Sequence, residues 1–130
     1  MSNEKNDLIK QHLQEQEFLR QQIIVTEVDY SHSVKSLVKL AQGDTSGSRA
    51  AAQLLLSLYN GHNWHVDLTD LCLLDHRYLL DAIIAIRGRV TLFKEPHDVI
   101  DNGSDVFREL EEQWQHLHVR NRYRDARKGG

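Results

Sequence analysis

The sequence predicts an all-α fold, and three features support that prediction. Apolar residues recur at helical spacing along most of the chain, which is the primary sequence signal of helices packed on a core. Pro96 is the only proline and clusters of turn-forming residues are few, whereas strand-rich domains need many turns. The length of 130 residues suits a single core. We therefore expect one compact domain of four or five helices.

The sequence of residues 1–29 predicts that this segment is a polar, helical extension of the domain. The segment 6–24 is rich in Gln and Glu, and its apolar side chains are unevenly spaced, which favours a helix that could fray at its start. The segment 23–28 is rich in β-branched residues and could form a short extended piece.

Residues 30–118 predict the helical domain itself. The apolar residues of its first helix share one face, at Tyr30, Val34, Leu37, Val38 and Ala41. That helix should end near Gly43, a residue suited to the left-handed conformation after a helix. Asp44 or Thr45 can cap the next helix by accepting a backbone N–H. Because residues 50–59 are rich in Ala and Leu and apolar nearly all round, they predict the central buried helix.

Two further helices and a turn complete the predicted domain. A short helical turn is expected over 67–71, followed by a long helix over 76–93. The long helix has its predicted core stripe at Leu79, Ile83, Ile86, Val90 and Phe93. The last helix has its inner face at Val106, Phe107, Leu110, Trp114 and Leu117. These faces predict that Leu55, Ile83 and Trp114 are buried in one cluster.

The cysteine count and the hydropathy of the chain bear on its location. Cys72 is the only cysteine, so no internal disulfide can form, and a reducing compartment permits a lone thiol. The N-terminus is polar and has no apolar region of a secretory signal. The longest apolar-rich stretch, residues 79–86, is too short to cross a bilayer. We expect a cytoplasmic protein without membrane contact.

Charge is distributed unevenly along the chain. The net charge of −3 argues against a general nucleic-acid binder. Residues 119–130 carry a single acid and five basic side chains, which are Arg120, Arg122, Arg124, Arg127 and Lys128. With almost no apolar residues, this segment predicts a basic, disordered tail. Such a tail could make a weak, salt-sensitive contact with nucleic acid or with an acidic surface.

A set of polar residues near the predicted helix starts has two interpretations. The set is Asp44, Thr45, Ser48, Arg49, Asn60, Asp67, Thr69 and Asp70. Free N–H groups at a helix start, with an arginine beside them, could bind an anion. We favour the structural interpretation, in which these residues cap helices and pair inside the fold. It predicts that Arg49 donates a charge-assisted hydrogen bond to Asp67 or Asp70.

Metal binding and cysteine chemistry are the other candidates. The residues His62, His65, Cys72 and His76 are all of types that bind zinc. However, residues 62–65 resemble an exposed turn, and the leucines around Cys72 favour a buried, inert thiol. We therefore predict no metal, no cofactor and no cysteine nucleophile.

Three stretches resemble an uncharacterised bacterial domain family of unknown function. They are Leu40-Ala-Gln-Gly-Asp-Thr-Ser-Gly-Ser-Arg49, Leu54-Leu-Leu-Ser-Leu-Tyr-Asn60 and Val66-Asp-Leu-Thr-Asp-Leu71. The similarity extends from Leu37 to Trp114. Family members have Gly-Gln where this chain has Ser46-Gly47, and tryptophan where it has Cys72. The family occurs on integrative conjugative elements, plasmids and prophages, so the resemblance implies a mobile-element origin, but it implies no activity.

These observations favour a non-enzymatic module that binds another protein, with self-association left open. The alternative is a small enzyme or anionic-ligand binder using Asp44, Arg49, Asp67 and Asp70. A third option is a nucleic-acid accessory protein acting through the tail. An enclosed pocket lined by the polar set would favour an enzyme, and a well-packed polar set would favour the module.

Overall fold

A computed structural model describes residues 2–124 of the chain. Its α-helices are α1 (Ser2–Ile23), α2 (Glu27–Ala41), α3 (Ser46–Tyr59), α4 (His76–Leu92), α5 (Gly103–Gln113) and the short α6 (Val119–Arg122). Short 3-10 helices span Leu68–Leu73, Pro96–Val99 and Gln115–Leu117. Within this range the β-type pairing is limited to an isolated bridge between Trp64 and His118. The prediction of an all-α domain is confirmed, and none of the described helices has the length and hydropathy to cross a membrane.

The core is built around α3, as the alanine- and leucine-rich segment predicts. Every residue from Ala50 to Leu56 is buried, and α3 contacts α2, α4 and α5. Such burial on all sides needs a helix without a polar face, which this segment provides. The prediction of a central buried helix is confirmed.

Helix α2 also matches its predicted face. Its five predicted core residues, Tyr30, Val34, Leu37, Val38 and Ala41, are all buried. Thr26 caps the helix, because its side chain accepts the N–H of Asp29 at 3.0 Å. The left-handed conformation predicted for Gly43 is wrong, since no glycine in the described range has a positive φ. A Cβ at this position would lie 2.8 Å from the Oγ atom of Ser48, so a larger residue would require the Ser48 side chain to shift.

Helix α4 matches its predicted core face only in part. Leu79 and Ile86 are partly buried against the core, whereas Ile83, Val90 and Phe93 are 43%, 61% and 83% exposed, so the predicted stripe is wrong at these three positions. The buried positions are instead the small residues Ala82, Ala85 and Gly88. Small side chains let α4 approach α2 closely, since a Cβ on Gly88 would lie 2.3 Å from the Cγ atom of Tyr30. The bulky ring of Tyr30 fills the space that larger side chains on α4 would need.

The last predicted helix is divided into shorter pieces. Helix α5 ends at Gln113, and a 3-10 helix follows. Trp114 is 7% exposed, and its Nε1 atom donates to the carbonyl oxygen of Ala41 at 2.9 Å. Leu55 and Trp114 therefore both belong to the core, as predicted, whereas Ile83 does not.

Helix α1 is helical as predicted but lies outside the core. Its residues 3–23 are all exposed. The guanidinium of Arg87, on α4, ties its end to the domain by donating to the carbonyl oxygens of Gln22 and Ile23 at 2.8 and 2.6 Å. Only residues 24–26 of the expected extended piece lie outside the two flanking helices.

Burial of Tyr30 predicts a pH dependence of stability. Its side chain is fully buried and its hydroxyl donates to the carbonyl oxygen of Lys94 at 2.8 Å. Burial raises the pKa of Tyr30 from 10.0 to about 12. In the unfolded chain this phenol ionises with its ordinary pKa of 10.0. The free energy of unfolding is therefore unaffected by this group below about pH 10 and falls as the pH rises toward about 12.

We expect the melting temperature of the parent chain to fall across this alkaline window, and that of Tyr30→Phe to fall less steeply. The variant should lose about 1 kcal/mol at neutral pH, because the bond to Lys94 is gone. Thermal melts at a series of pH values measure both effects. Equal alkaline slopes for the two proteins would show that Tyr30 does not titrate as proposed.

Candidate functional site

The N-terminus of α3 is capped by a hydroxyl group and is stabilised by a pair of hydroxyl side chains. Thr45, and not the exposed Asp44, is the cap, since its Oγ1 atom accepts the N–H of Ser48 at 3.0 Å. The hydroxyls of Thr45 and Ser48 are also 2.9 Å apart. Ser48 is 1% exposed. This pair therefore stabilises the helix end, in agreement with the structural interpretation.

A buried glutamine that the sequence analysis did not select joins much of the remaining polar set. Gln53 is 2% exposed, and its Nε2 atom donates to Oδ2 of Asp70 at 2.9 Å. Its Oε1 atom accepts the backbone N–H of Asp67 at 3.2 Å. These bonds fasten the 3-10 turn to α3. The signal available in the sequence was a polar residue inside the apolar run 50–56.

The predicted partner of Arg49 is correct, but the predicted bond is not. Its Nη2 atom lies 3.7 Å from Oδ2 of Asp70, which is an ion pair beyond hydrogen-bonding distance. Gln53 bonds the same carboxylate oxygen more closely. The carboxylate of Asp67 is paired with Arg122 instead. The side chains of Arg49 and Asp70 are 43% and 25% exposed, so water screens the pair.

Gln53→Ala should cost about 1–3 kcal/mol of unfolding free energy, because it leaves the N–H of Asp67 and the carboxylate of Asp70 without their partner. Arg49→Ala should cost less than about 1 kcal/mol, as exposed ion pairs do. Urea denaturation measures both. The account of the network is contradicted if Arg49→Ala is the more damaging change.

Part of the predicted disordered tail is packed on the domain. Arg122 donates to the carbonyl oxygen of His65 and pairs with Asp67, and the hydroxyl of Tyr123 lies 3.0 Å from Nδ1 of His65. The N–H of Val119 donates to the carbonyl oxygen of Asn63 at 3.0 Å. The prediction of disorder is therefore wrong for residues 119–124, because the turn at residues 63–67 offers them partners. Arg127 and Lys128 lie outside the described residues.

The other members of the polar set do not join this network. Asn60 is at the far end of α3, where its carbonyl oxygen accepts the N–H groups of Asn63 and Trp64. Thr69 is exposed. Asp67, which does belong to the network, precedes its 3-10 helix without a capping bond. Among the tail residues, Arg124 donates to the side chain of Asn121 at 2.7 Å. The polar set is thus divided between capping, internal pairing and exposed positions.

The histidine and cysteine candidates are also dispersed. Within residues 2–124, no three His, Cys, Asp or Glu side chains are grouped so that they could hold a metal ion. Cys72 is exposed, so the predicted buried thiol is wrong; the 3-10 helix directs Leu74, and not Cys72, into the core. Trp64 is 1% exposed, so the predicted turn at residues 62–65 is only partly exposed.

An open groove lies between α2, the start of α3 and the start of α4. It has a volume of about 670 Å³. We call it the cationic groove, because Lys35, Lys39 and Arg77 line it. In the described part of the chain, none of these three has a carboxylate within ion-pair distance. The remaining lining residues are His32, Ser36, Leu40, Gly43, Thr45, Ser48 and Tyr78.

The carboxylate of Asp81, which bonds the groove residue Ser36, is already engaged in hydrogen bonds. Asp81 lies one turn after Arg77 on α4 and accepts hydrogen bonds from Ser33 and Ser36 at 3.3 and 2.7 Å. The guanidinium of Arg77 lies 5.9 Å from the centre of the Tyr78 ring. The sequence indicates that Lys35 and Lys39 share one side of α2, because they are four residues apart. It does not indicate that Arg77 lies beside them, because that depends on the packing of α4 on α2.

These features define a small all-α domain with a cationic groove. Residues 31–115 match the model of a family of unknown function, DUF7673, and the chain belongs to that family. No curated protein and no solved structure matches the chain. The matched range contains the whole cationic groove, whereas α1 and α6 lie outside it.

Proposed function

We propose that this chain is a non-enzymatic protein-interaction domain that holds an acidic segment of another protein in the cationic groove. The observation that carries this proposal is the convergence of Lys35, Lys39 and Arg77, without ion-pair partners among the described residues, on one open groove. Cations that lack internal partners attract external carboxylates and raise their local concentration. The groove lies inside the range that matches the family model.

The polar set supports an interaction domain over the alternative of an enzyme. Gln53, Asp70 and Arg122 form bonds within the domain, and Thr45 is used as a cap. Gln53 and Arg122 already bond the carboxylates of Asp70 and Asp67, as a structural network requires. An enzyme would need acid, base or nucleophile placed together in a cavity.

An acidic peptide suits the groove better than a nucleic acid does. The chain carries a net charge of −3, so a long polyanion would be repelled by the rest of the surface. Leu40 and Tyr78 offer apolar contacts beside the charges. A short peptide with alternating acidic and apolar side chains can contact both the cations and the apolar side chains.

The proposal also includes a cytoplasmic location and a mobile-element origin. The lone thiol of Cys72 supports the location. The resemblance of residues 40–71 to domains of such elements supports the origin.

Short fluorescent peptides rich in Asp and Glu should bind the protein, and peptides with Asn and Gln in their place should not. Lys39→Gln and Arg77→Gln should each weaken binding several-fold, because each removes a charge at the groove, and together by about tenfold or more. Arg108→Gln is the matched control, since Arg108 is an exposed cation on α5 that pairs with Asp105. Fluorescence anisotropy at low and high salt measures the affinities.

Affinity should fall as salt rises, and melting temperatures should stay unchanged in all three variants. The proposal fails if Arg108→Gln weakens binding as much as Lys39→Gln. It also fails if single-stranded DNA or RNA binds more tightly than every acidic peptide and loses affinity in the same variants, which would assign the groove to nucleic acid.

A further inference from the structure

A second open site adjoins the cationic groove. It has a volume of about 470 Å³ and lies between the start of α2 and the 3-10 helix Pro96–Val99. Val28 and Val99 supply the apolar side chains of its lining, and we call it the valine hollow. His32 and Lys35 line both the valine hollow and the cationic groove, so the two sites are neighbours along α2.

The valine hollow is a built feature of the fold. The hydroxyl of Ser31 donates to the carbonyl oxygen of Val99 at 2.7 Å, which holds the 3-10 helix beside α2. Val99 packs partly against the core, whereas Val28 is 74% exposed. A single exposed valine is ordinary on a protein surface. Here two valines line one hollow that opens beside three cations, so an apolar side chain seated between them would be removed from water together with both.

The two sites differ in charge. Lys39 and Arg77 line the cationic groove and do not line the valine hollow. The valine hollow has the carboxylate of Glu27 in its lining, and that carboxylate lies 2.8 Å from Nζ of Lys94. A carboxylate of a partner would be attracted to the groove and would meet a like charge in the hollow. The groove therefore favours acidic side chains, and the hollow favours an uncharged, apolar one.

We propose that the acidic segment bound in the cationic groove carries a large apolar side chain that occupies the valine hollow. This inference rests on the proposed function and specifies the partner further. The partner segment has an acidic cluster at one end and an apolar anchor at the other. The carboxylates give the attraction to this face of the domain, and the anchor distinguishes the partner from other acidic peptides.

The length of α2 sets the distance between the acidic cluster and the anchor. Val28, His32, Lys35 and Lys39 are all exposed and fall within a sector of about 60° on the outer side of α2. Val28 and Lys39 are about 16 Å apart along the helix axis. An extended peptide covers this distance in about five residues.

A spacing of five residues also fits the positions of the two sites. The groove is on the side of α2 that faces α4, because Arg77 and Tyr78 line it. The valine hollow is on the other side of the outer line of α2, because Val99 lines it. Successive side chains of an extended peptide point to opposite sides, so residues five apart also point to opposite sides. One extended segment can therefore place carboxylates in the groove and its anchor in the hollow.

Three fluorescent peptides test this inference by fluorescence anisotropy. One has a cluster of three acidic residues alone, and the other two add a leucine five residues before or five residues after that cluster. The better leucine peptide should bind about fivefold more tightly than the acidic peptide, because an open hollow buries only part of a leucine side chain. This gain in affinity should persist at high salt, whereas the affinity that comes from the cations should fall.

Val28→Ser should remove the gain from leucine and leave the affinity for the acidic peptide unchanged, because the three cations are intact. Val90→Ser is the matched control, since Val90 is a 61% exposed valine of α4 that lines neither site. Lys39→Gln should weaken the binding of all three peptides by the same factor and preserve the gain. A thermal melt of each variant verifies that it is folded.

The inference is overturned if neither leucine peptide binds more tightly than the acidic peptide, or if the gain persists in Val28→Ser. In both cases the proposed function stands, provided that the acidic peptide binds and that Lys39→Gln weakens its binding. A failure of all three peptides to bind overturns the proposed function and this inference together.

Discussion

Gly88→Ala is expected to destabilise the domain by about 2 kcal/mol or more, although alanine is the better helix former. An alanine Cβ at this position would lie 2.3, 2.5 and 2.8 Å from the Cγ, Cδ1 and Cβ atoms of Tyr30. Tyr30 is fully buried and its hydroxyl is bonded to Lys94, so the ring has no room to move away. Overpacking of this kind costs about 1–3 kcal/mol and can cost more, which exceeds the propensity gain of about 1 kcal/mol.

Gly47→Ala is the matched control for this effect. Gly47 also lies in a helix, but its added Cβ would meet Leu73 at an ordinary contact distance of 3.6 Å. This variant should melt at or slightly above the parent temperature. In a Tyr30→Leu background the cost of Gly88→Ala should shrink, because the clashing ring is absent. An undiminished cost would mean that the ring of Tyr30 is not the obstacle.

Leu55→Ala should cost about 2–5 kcal/mol, since it removes a fully buried side chain from the middle of α3 and leaves a cavity. The informative comparison is Ile83→Ala, because sequence periodicity assigns both residues to the core. Ile83 is 43% exposed on the outer side of α4, so its truncation should cost well under half as much. Urea denaturation of both variants measures the difference. Equal losses would restore Ile83 to the core and contradict the placement of α4.

The contrast between α2 and α4 shows how far helical periodicity can predict burial. On α2, the apolar side is the side that neighbouring helices cover, so Tyr30 and Leu37 are buried as predicted. On α4, Ile83 and Val90 outrank Ala82 and Ala85 in hydropathy but remain exposed. Periodicity shows which side of a helix is apolar. The distance between two packed helices decides how large the side chains between them can be. That distance depends on Tyr30, which lies more than fifty residues earlier in the sequence.

Among the polar residues, too, the interactions within a local segment could be predicted from the sequence, whereas some interactions between distant segments could not. The cap at Thr45 follows from a local rule and was predictable. The reach of Arg49 to Asp70 could also be predicted from the length of α3 and its return loop. The pairing of Arg122 with Asp67 could not, because it depends on where the chain passes again after fifty-five residues. The cationic groove combines Lys39 with Arg77 from another helix, so it exists only in the folded chain.

The fluorescence of the two tryptophans reports on the core of the folded chain but not on helix α1. Trp64 and Trp114 are the only tryptophans, and both are buried. Their fluorescence should shift to longer wavelength when the core opens and water reaches the indole rings. Helix α1 contains neither, so its melting should alter circular dichroism at far-ultraviolet wavelengths and leave the emission spectrum unaltered. Two probes that agree on a single transition indicate cooperative unfolding. Because α1 lies outside the core, we expect the ellipticity to begin to fall before the emission shifts.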